Sequence, residues 1–192
     1  MKLKALTLAD LEQVRLWRNE SLSALRTPFL LTQEQQEQFY RDVICSRQAG
    51  ARYWGVWKQP PVTRGIVVFD DERLVGMCGL ENISWENHRA EISIILNPEH
   101  QGKGHGEKAV GLLLDQGFNY LNLDNIWGEC YTCNPAVDFW GKVTKKYKGS
   151  WVTIPNTKYY SGKYWDSVFF NVTKEDYREH ENTLPQPTQA PD

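Results

Sequence analysis

Near the start of the chain, the order of apolar and polar residues predicts a strand followed by two helices. Apolar and polar residues alternate in "KLKALTLAD", which is the two-residue period of a half-buried strand. Leu11, Val14 and Trp17 then recur with helical spacing, and Asp10 stands where a capping side chain could begin that helix. Thr32 occupies the same kind of position before a second helical series. The first part of the chain is therefore predicted to fold as β-α-α.

The middle of the chain reads as strands that lead into a third helix. Extended runs rich in β-branched and aromatic residues are separated by turn sequences, which predicts an antiparallel meander and one further strand. Gly102, Gly104 and Gly106 come next, and the apolar residues beyond them have helical spacing. The extended runs are ARYWGVW, RGIVVF, RLVGMCGLENIS and RAEISIIL.

The rest of the chain predicts one more strand and helix and then two closing strands. "NIWGECYT" reads as a strand, residues 135–147 as a helix, and "GSWVTIP" and "KYWDSVFFNV" as strands. The order predicts an α/β (α+β) fold, with a single mixed, mostly antiparallel sheet flanked by helices. We expect one domain over residues 1–180 and a disordered tail over residues 181–192, which is polar and rich in proline.

Composition excludes several classes of function. Among the 192 residues, 22 basic and 24 acidic side chains give a net charge of −2 without a basic run, so a nucleic-acid partner is not expected. The chain has no apolar stretch of membrane-spanning length and no secretory signal, which predicts a cytoplasmic protein. Cys130 and Cys133 form a CxxC pair inside a predicted strand, without the second pair that a zinc site needs. No metal site is therefore expected.

The glycine-rich turn is the feature that most needs an explanation. A strand that ends at such a turn and leads into a helix directs backbone N–H groups into one space, where the helix dipole also favours an anion. A nucleoside triphosphate loop would need Lys and then Ser or Thr after the last glycine, but Glu107 and Lys108 follow it. A dinucleotide fingerprint needs a different spacing of glycines within a parallel sheet. A turn that binds nothing is the other alternative.

The residues Gln101-x-x-Gly104-x-Gly106 resemble the (Q/R)xxGx(G/A) turn of the GNAT superfamily of acyl-CoA N-acyltransferases. "AEISIILNPEHQGKG" is similar to that superfamily's fourth strand and pyrophosphate loop, and "CNPAVDFWGKV" to the end of its fifth strand and the next helix. The flanks resemble the subgroup of ribosomal-protein-alanine, polyamine and amino-sugar acetyltransferases. The resemblance implies a GNAT-like fold with a splayed central strand pair, acetyl-CoA as co-substrate, and transfer of the acetyl group to a primary amine of a small molecule or a protein N-terminus.

The resemblance also implies where acetyl-CoA binds. The turn would hold the pyrophosphate, and the preceding strand would pair with the pantetheine arm, although the strand residues could equally be simple core. A side-chain amide at Asn134 could contact the pantetheine or cap the next helix. The residues implied in cofactor binding are Ile94, Ile95, Leu96, Gln101, Gly102, Lys103, Gly104, His105, Gly106 and Asn134.

Acetyl transfer needs a base for the ammonium proton and an acid for the departing thiolate. The resemblance makes Glu91 the candidate general base, and a structural carboxylate is the alternative reading; His88 and His105 are other candidates. The family often has a Tyr in the helix after the fifth strand, where this chain has Trp140, which cannot protonate a thiolate. Tyr131 is a candidate acid, Tyr147 another, and the thiolate could also leave unassisted.

For the acceptor, the resemblance implies a wall formed by the first two helices. Trp17, Arg18 and Arg26 are candidates for binding the substrate there, and the arginines would suit an anionic amino sugar better than a polyamine. Core aromatics and solvated arginines are the alternative. We expect a monomer or a homodimer. A catalytically silent acyl-CoA-binding or interaction protein on the same fold is the rival hypothesis, because the family's tyrosine is missing.

Overall fold

The structure is a computed structural model that describes residues 1–25, 29–46, 50–58 and 73–183. The predicted strand "RGIVVF" and the candidate Arg26 lie outside the described residues. The strands are β1 Lys2–Lys4, β2 Arg52–Lys58, β3 Arg73–Ser84, β4 Arg89–Leu96, β5 Asn125–Tyr131, β6 Ser150–Tyr160 and β7 Lys163–Thr173. The α-helices are α1 Leu8–Glu20, α2 Gln33–Phe39, α3 His105–Asp115, α4 Val137–Lys146 and α5 Lys174–Thr183.

The described strands form one mixed sheet in the order β1-β2-β3-β4-β5-β7-β6. All neighbours are antiparallel except β4 and β5, which are parallel, and this confirms the predicted mixed and mostly antiparallel sheet. β4 pairs with β5 only through Arg89, Ala90 and Glu91. Beyond Glu91 the two strands separate, so the expected splayed central pair is present.

Helices cover the two faces of the sheet unequally. On one face, α3, α4 and α5 pack over a large core that includes Leu113, Phe118, Val143 and Tyr177. On the other face, α1 buries Leu11, Val14 and Trp17 against Met77 of β3. The helical spacing of these three α1 residues therefore gives the helix its buried face, as the sequence predicted.

The start of α1 and the start of the predicted tail differ from the sequence prediction. Thr7, not Asp10, caps α1: the Thr7 hydroxyl accepts a hydrogen bond from the backbone N–H of Asp10, and the Asp10 carboxylate accepts one from the backbone N–H of Thr7. At the other end of the chain, α5 includes residues 181–183, which the sequence assigned to the tail. Residues 184–192 lie outside the described part of the chain.

Candidate active site

The opening between β4 and β5 leaves part of β4 without a partner on that side. Residues 92–96 still pair with β3, but they have no pairing with β5. Their outward backbone N–H and C=O groups can therefore pair with the amides of an extended ligand. Ile94 and Ile95 line the cavity at this opening, and Leu96 is half-buried at the end of the strand.

A cavity of about 390 Å³ reaches from this opening to the α1 and α2 side of the sheet. Residues of β4, β5 and α4 line one part of it, and the other part is lined by Arg18 of α1, Gln36 and Phe39 of α2, and Tyr53 of β2. A molecule in the splayed pair and a second molecule under α1 and α2 could therefore meet in one continuous space.

The glycine turn provides an open cradle beside the splayed strands. Gly102 and Gly104 have φ angles of 70° and 75°, the left-handed region that favours glycine. A Cβ atom added to either residue would meet nothing within 4 Å. Gly104 is also the N-cap of α3, so the free N–H groups and the positive end of the helix dipole lie at this turn. The turn can bind an anion.

Gly106 differs from the other two glycines in its surroundings. It is buried in α3, and an added Cβ would lie 3.2 Å from the Phe139 ring and 3.3 Å from Leu96 Cδ1. Its missing side chain therefore permits close packing of α3 against α4 and β4. Of the three glycines, only Gly102 and Gly104 leave open space for a ligand.

Three side chains of the glycine-rich segment contact backbone carbonyls of the loop or of the end of β4. Gln101 Nε2 donates to the Leu96 carbonyl at 3.4 Å, and Lys103 Nζ donates to the Glu99 carbonyl at 2.7 Å. His105 Nδ1 lies 3.1 Å from the His100 carbonyl oxygen. These contacts shape the turn, so the groups it presents to a ligand are mainly backbone N–H groups.

Glu107 turns away from the cradle toward α4. Its carboxylate accepts a hydrogen bond from Lys146 Nζ at 2.8 Å, and this contact lowers the pKa of Glu107. A carboxylate beside a phosphate is electrostatically unfavourable, and the ion pair offsets this because the negative charge of Glu107 has a positive partner. It also engages the Lys146 ammonium, which is then not available to an anion.

We expect Glu107→Gln to release Lys146 and to tighten the binding of coenzyme A. Both side chains are substantially exposed, so the gain should be small, about two- to fivefold in Kd. Calorimetry at low and high salt measures it, and the gain should shrink as salt increases. Glu179→Gln removes a similar exposed ion pair, that with Lys148, and should leave affinity unchanged. Weaker binding by Glu107→Gln would contradict this account.

Glu91 is buried behind the cavity wall. Its relative exposure is 2%, its Oε2 accepts a hydrogen bond from Asn82 Nδ2 at 2.8 Å, and it is not among the residues that line the cavity. Asn82 has a φ of 47° next to an irregularity in the β3–β4 register, a conformation that Asn tolerates. A carboxylate in this place could reach an amine only through an intervening group.

The two histidine alternatives lie away from the cavity. His88 is exposed in the turn between β3 and β4, where its Nδ1 lies 3.0 Å from Asp124 Oδ2. His105 belongs to the glycine turn. Neither residue lines the cavity.

The candidates for the general acid differ in whether they line the cavity. Trp140 lines the cavity and stacks on Phe170 with ring centroids 4.5 Å apart. Tyr147 is buried against Tyr177 and outside the cavity, and burial raises its pKa. Tyr131 is the tyrosine candidate that lines the cavity.

Asn134 does not cap α4, since Ala136 is the N-cap of that helix, and the side chain of Asn134 has a different local role. Its Oδ1 accepts a hydrogen bond from the backbone N–H of Ala136 at 2.8 Å, which orders the turn before α4. Asn134 also lines the cavity beside Tyr131. The turn thus places a side-chain amide at the open end of the splayed strands.

The predicted acceptor wall needs correction. Trp17 is buried in the core with Leu11 and Val14 and does not line the cavity. Arg18 does line it: its guanidinium donates to the Phe29 carbonyl at 3.1 Å, and partial burial lowers its pKa. Arg26 is outside the described residues. Of the two predicted arginines, the described structure therefore places Arg18 at the cavity.

Sequence reasoning missed two carboxylates of the cavity, Glu81 on β3 and Glu129 on β5. Glu129 accepts a hydrogen bond from the hydroxyl of the buried Ser167 on β7. Each glutamate interrupts a strand with several buried residues, and a charge in such a strand is a signal for a functional role. The sequence prediction of an anionic acceptor considered only the arginines and left out these two negative charges.

The CxxC pair shows no features of a reactive site. Cys130 is buried, and burial raises the pKa of its thiol to about 11, so the thiolate form is disfavoured. Within residues 1–25, 29–46, 50–58 and 73–183, no group of three His, Cys, Asp or Glu side chains is arranged to hold a metal ion. No helix in these ranges has the length and apolar character needed to span a membrane.

Comparison with solved structures supports the same architecture. Spermidine N-acetyltransferase from Vibrio cholerae, solved in complex with CoA and spermine, superposes with a TM-score of 0.74. The superposition covers 92% of this chain and 97% of that chain, at 24% identity. At this identity, the likeness establishes the fold.

Sequence comparison identifies the family. Uncharacterized N-acetyltransferase p20 of Bacillus licheniformis is 32% identical over 113 residues, which are 58% of this chain and 62% of that protein. Spermidine N(1)-acetyltransferase of Escherichia coli (strain K12) is 41% identical over 64 residues, which are 33% of this chain and 34% of that protein. The matches span less than two thirds of either relative. The family model "Acetyltransferase (GNAT) domain" matches residues 1–138, well over half of the chain, and the protein therefore belongs to the GNAT acetyltransferase family.

Proposed function

We propose that the protein is an acetyl-CoA-dependent N-acetyltransferase that acts on a cationic primary amine. The observation that carries the proposal is the continuous cavity, which joins the splayed β4 and β5 to the α1 and α2 side of the sheet. Donor and acceptor must meet in one space for acyl transfer, and this cavity offers an approach from each side.

The residues present fit acetyl-CoA. The open backbone at Gly102 and Gly104 and the start of α3 suit the pyrophosphate, and residues 92–96 offer unpaired backbone groups to the pantetheine amides. When bound, acetyl-CoA would supply the thioester whose acetyl group is transferred. Tyr131 and Asn134, both on the cavity wall, are the side chains that could contact its reacting end.

The charges of the cavity favour an acceptor that is itself positive. Glu81 and Glu129 line it, and Arg18 is the one guanidinium among the described lining residues. Carboxylates attract an ammonium group and repel a phosphorylated acceptor. The spermidine N(1)-acetyltransferase of Escherichia coli, to which part of the chain is similar, supports a polyamine as the first acceptor to test.

We expect the protein to release free thiol from acetyl-CoA when spermidine is added. A peptide that begins with alanine and an amino-sugar nucleotide are tested as acceptors under the same conditions. Mass spectrometry identifies any acetylated product. Turnover with spermidine and not with the anionic nucleotide supports the proposal. Turnover with the nucleotide alone would contradict the charge argument.

The catalytically silent alternative makes a different prediction. It expects coenzyme A to bind without thiol release from any of these amines, and none of the relatives compared favours it. A monomer or homodimer that acts in the cytoplasm remains part of the proposal, and sedimentation of the purified protein tests its oligomeric state.

A further inference from the structure

Glu81 and Glu91 stand opposite each other on neighbouring strands. They are partners in the β3–β4 register, so both side chains leave the same face of the sheet. Glu81 lines the cavity, whereas Glu91 is only 2% exposed and lies outside it. Of the two carboxylates, Glu81 is the one that a molecule in the cavity can touch.

The backbone next to Glu81 explains why the two glutamates differ. The register between β3 and β4 is irregular between Glu81 and Ser84, and such an irregularity redirects the side chains around it. Asn82, within this irregular segment, directs its amide to Glu91. Among the described residues, no side chain donates a hydrogen bond to the Glu81 carboxylate. Glu91 is therefore held in place, while Glu81 faces the cavity.

The surroundings of Glu81 suit an ammonium group. Gly79 and Met77 precede it on the same face, and the Tyr53 ring packs over Gly79 so closely that an added Cβ would lie 2.4 Å from it. Tyr53 and Met77 also line the cavity and provide an apolar wall beside the carboxylate. The titratable groups that share the cavity with Glu81 are Arg18, Tyr53, Glu129, Cys130 and Tyr131, and Glu91 lies behind it.

We propose that Glu81, rather than Glu91, binds the acceptor ammonium and accepts its proton. This assignment rests on the proposed N-acetyltransferase activity. The Glu81 carboxylate takes one proton from the ammonium, and the nitrogen lone pair then forms a bond to the thioester carbonyl carbon. The carbon–sulfur bond breaks, and the sulfur leaves with its electron pair. The second nitrogen proton passes to the thiolate or to solvent, and Glu81 returns its proton to water. Glu91 acts as a positioning residue.

The test compares Glu81→Gln with Glu91→Gln, using acetyl-CoA and spermidine. We expect Glu81→Gln to lower kcat/KM by about 10²- to 10⁴-fold and to remove the acidic limb of the pH–rate profile, because a general base is lost. Coenzyme A affinity, measured by calorimetry, should be unchanged. Glu91→Gln should have a smaller effect and keep the acidic limb, and Glu81→Asp should recover part of the rate.

Each result separates this assignment from the activity on which it rests. If the unaltered protein acetylates none of the amines, the proposed function is overturned and the assignment with it. If the unaltered protein is active, normal turnover by Glu81→Gln overturns the assignment alone. Loss of the acidic limb in Glu91→Gln alone does the same and makes Glu91 the base. Circular dichroism and calorimetry confirm that each variant is folded and binds coenzyme A.

Discussion

Gly104→Val should weaken the binding of coenzyme A at least about tenfold, because the added side chain would occupy the space of the bound anion; it should also strain the backbone at positive φ by about 1–2 kcal/mol. Gly104 caps α3 with a φ of 75°, and an added side chain would project into open space at the turn. That space is where the backbone N–H groups meet an anion, so the side chain would block the ligand as well as strain the turn. Calorimetric titration with coenzyme A measures the loss.

The matched control is Gly162→Val in the turn between β6 and β7. Gly162 has a φ of 81° and also has open space around its Cβ position, so the same substitution imposes a similar backbone strain. Thermal denaturation should show comparable losses of stability for the two variants, while only Gly104→Val loses affinity. Equal affinity of both variants for coenzyme A would show that the turn does not bind the pyrophosphate.

Local sequence patterns predicted the strands and helices in which apolar residues alternate or recur regularly. The same patterns predicted the bounds of the other elements less accurately. β3 and β4 begin and end where the sequence runs do, and polar residues flank both runs in the sequence. β6 continues past Pro155 to Tyr160, although proline usually ends a strand. A proline is tolerated there because β6 is an edge strand with an irregular register between Ile154 and Lys158.

Helix α5 was not predicted because it has almost no apolar pattern. Tyr177 is the one buried residue of the helix, so no helical periodicity of apolar residues is visible. A capping signal does exist: the Asp176 backbone N–H donates to the Thr173 hydroxyl, and the Asp176 carboxylate accepts from the Thr173 backbone N–H. The T-x-x-D pattern could have located the start of the helix.

The candidate site likewise has one part formed by residues that are neighbours in sequence and another formed by residues that are distant in sequence. The glycine turn is a contiguous motif, so its position and left-handed conformation could be inferred from neighbouring residues. The cavity depends on strands that are distant in sequence: β3 and β5 flank β4, which brings Glu81 and Glu129 to one cavity. The burial of Trp17 likewise depends on Met77, a contact that the spacing within α1 does not reveal.

Tyr131→Phe should lower kcat about 100-fold or more if the hydroxyl protonates the departing thiolate, the range typical of a lost general acid. Tyr131 lines the cavity, and Lys158 Nζ lies 4.4 Å from the centre of its ring. Lys158 is itself buried and donates to the Leu25 carbonyl at 2.7 Å. Phenylalanine keeps the ring that this ammonium contacts, so the wall of the cavity should be preserved.

Tyr160→Phe is the matched control, because Lys158 Nζ also lies 5.4 Å from the centre of the Tyr160 ring and Tyr160 does not line the cavity. Both variants lose one hydroxyl from a ring that contacts the same ammonium, so an indirect effect through Lys158 should appear in both. An effect on thiolate protonation should appear only in Tyr131→Phe, as a lower kcat with unchanged affinity for coenzyme A. If Tyr131→Phe keeps the kcat of the unaltered protein, the thiolate leaves without help from this residue.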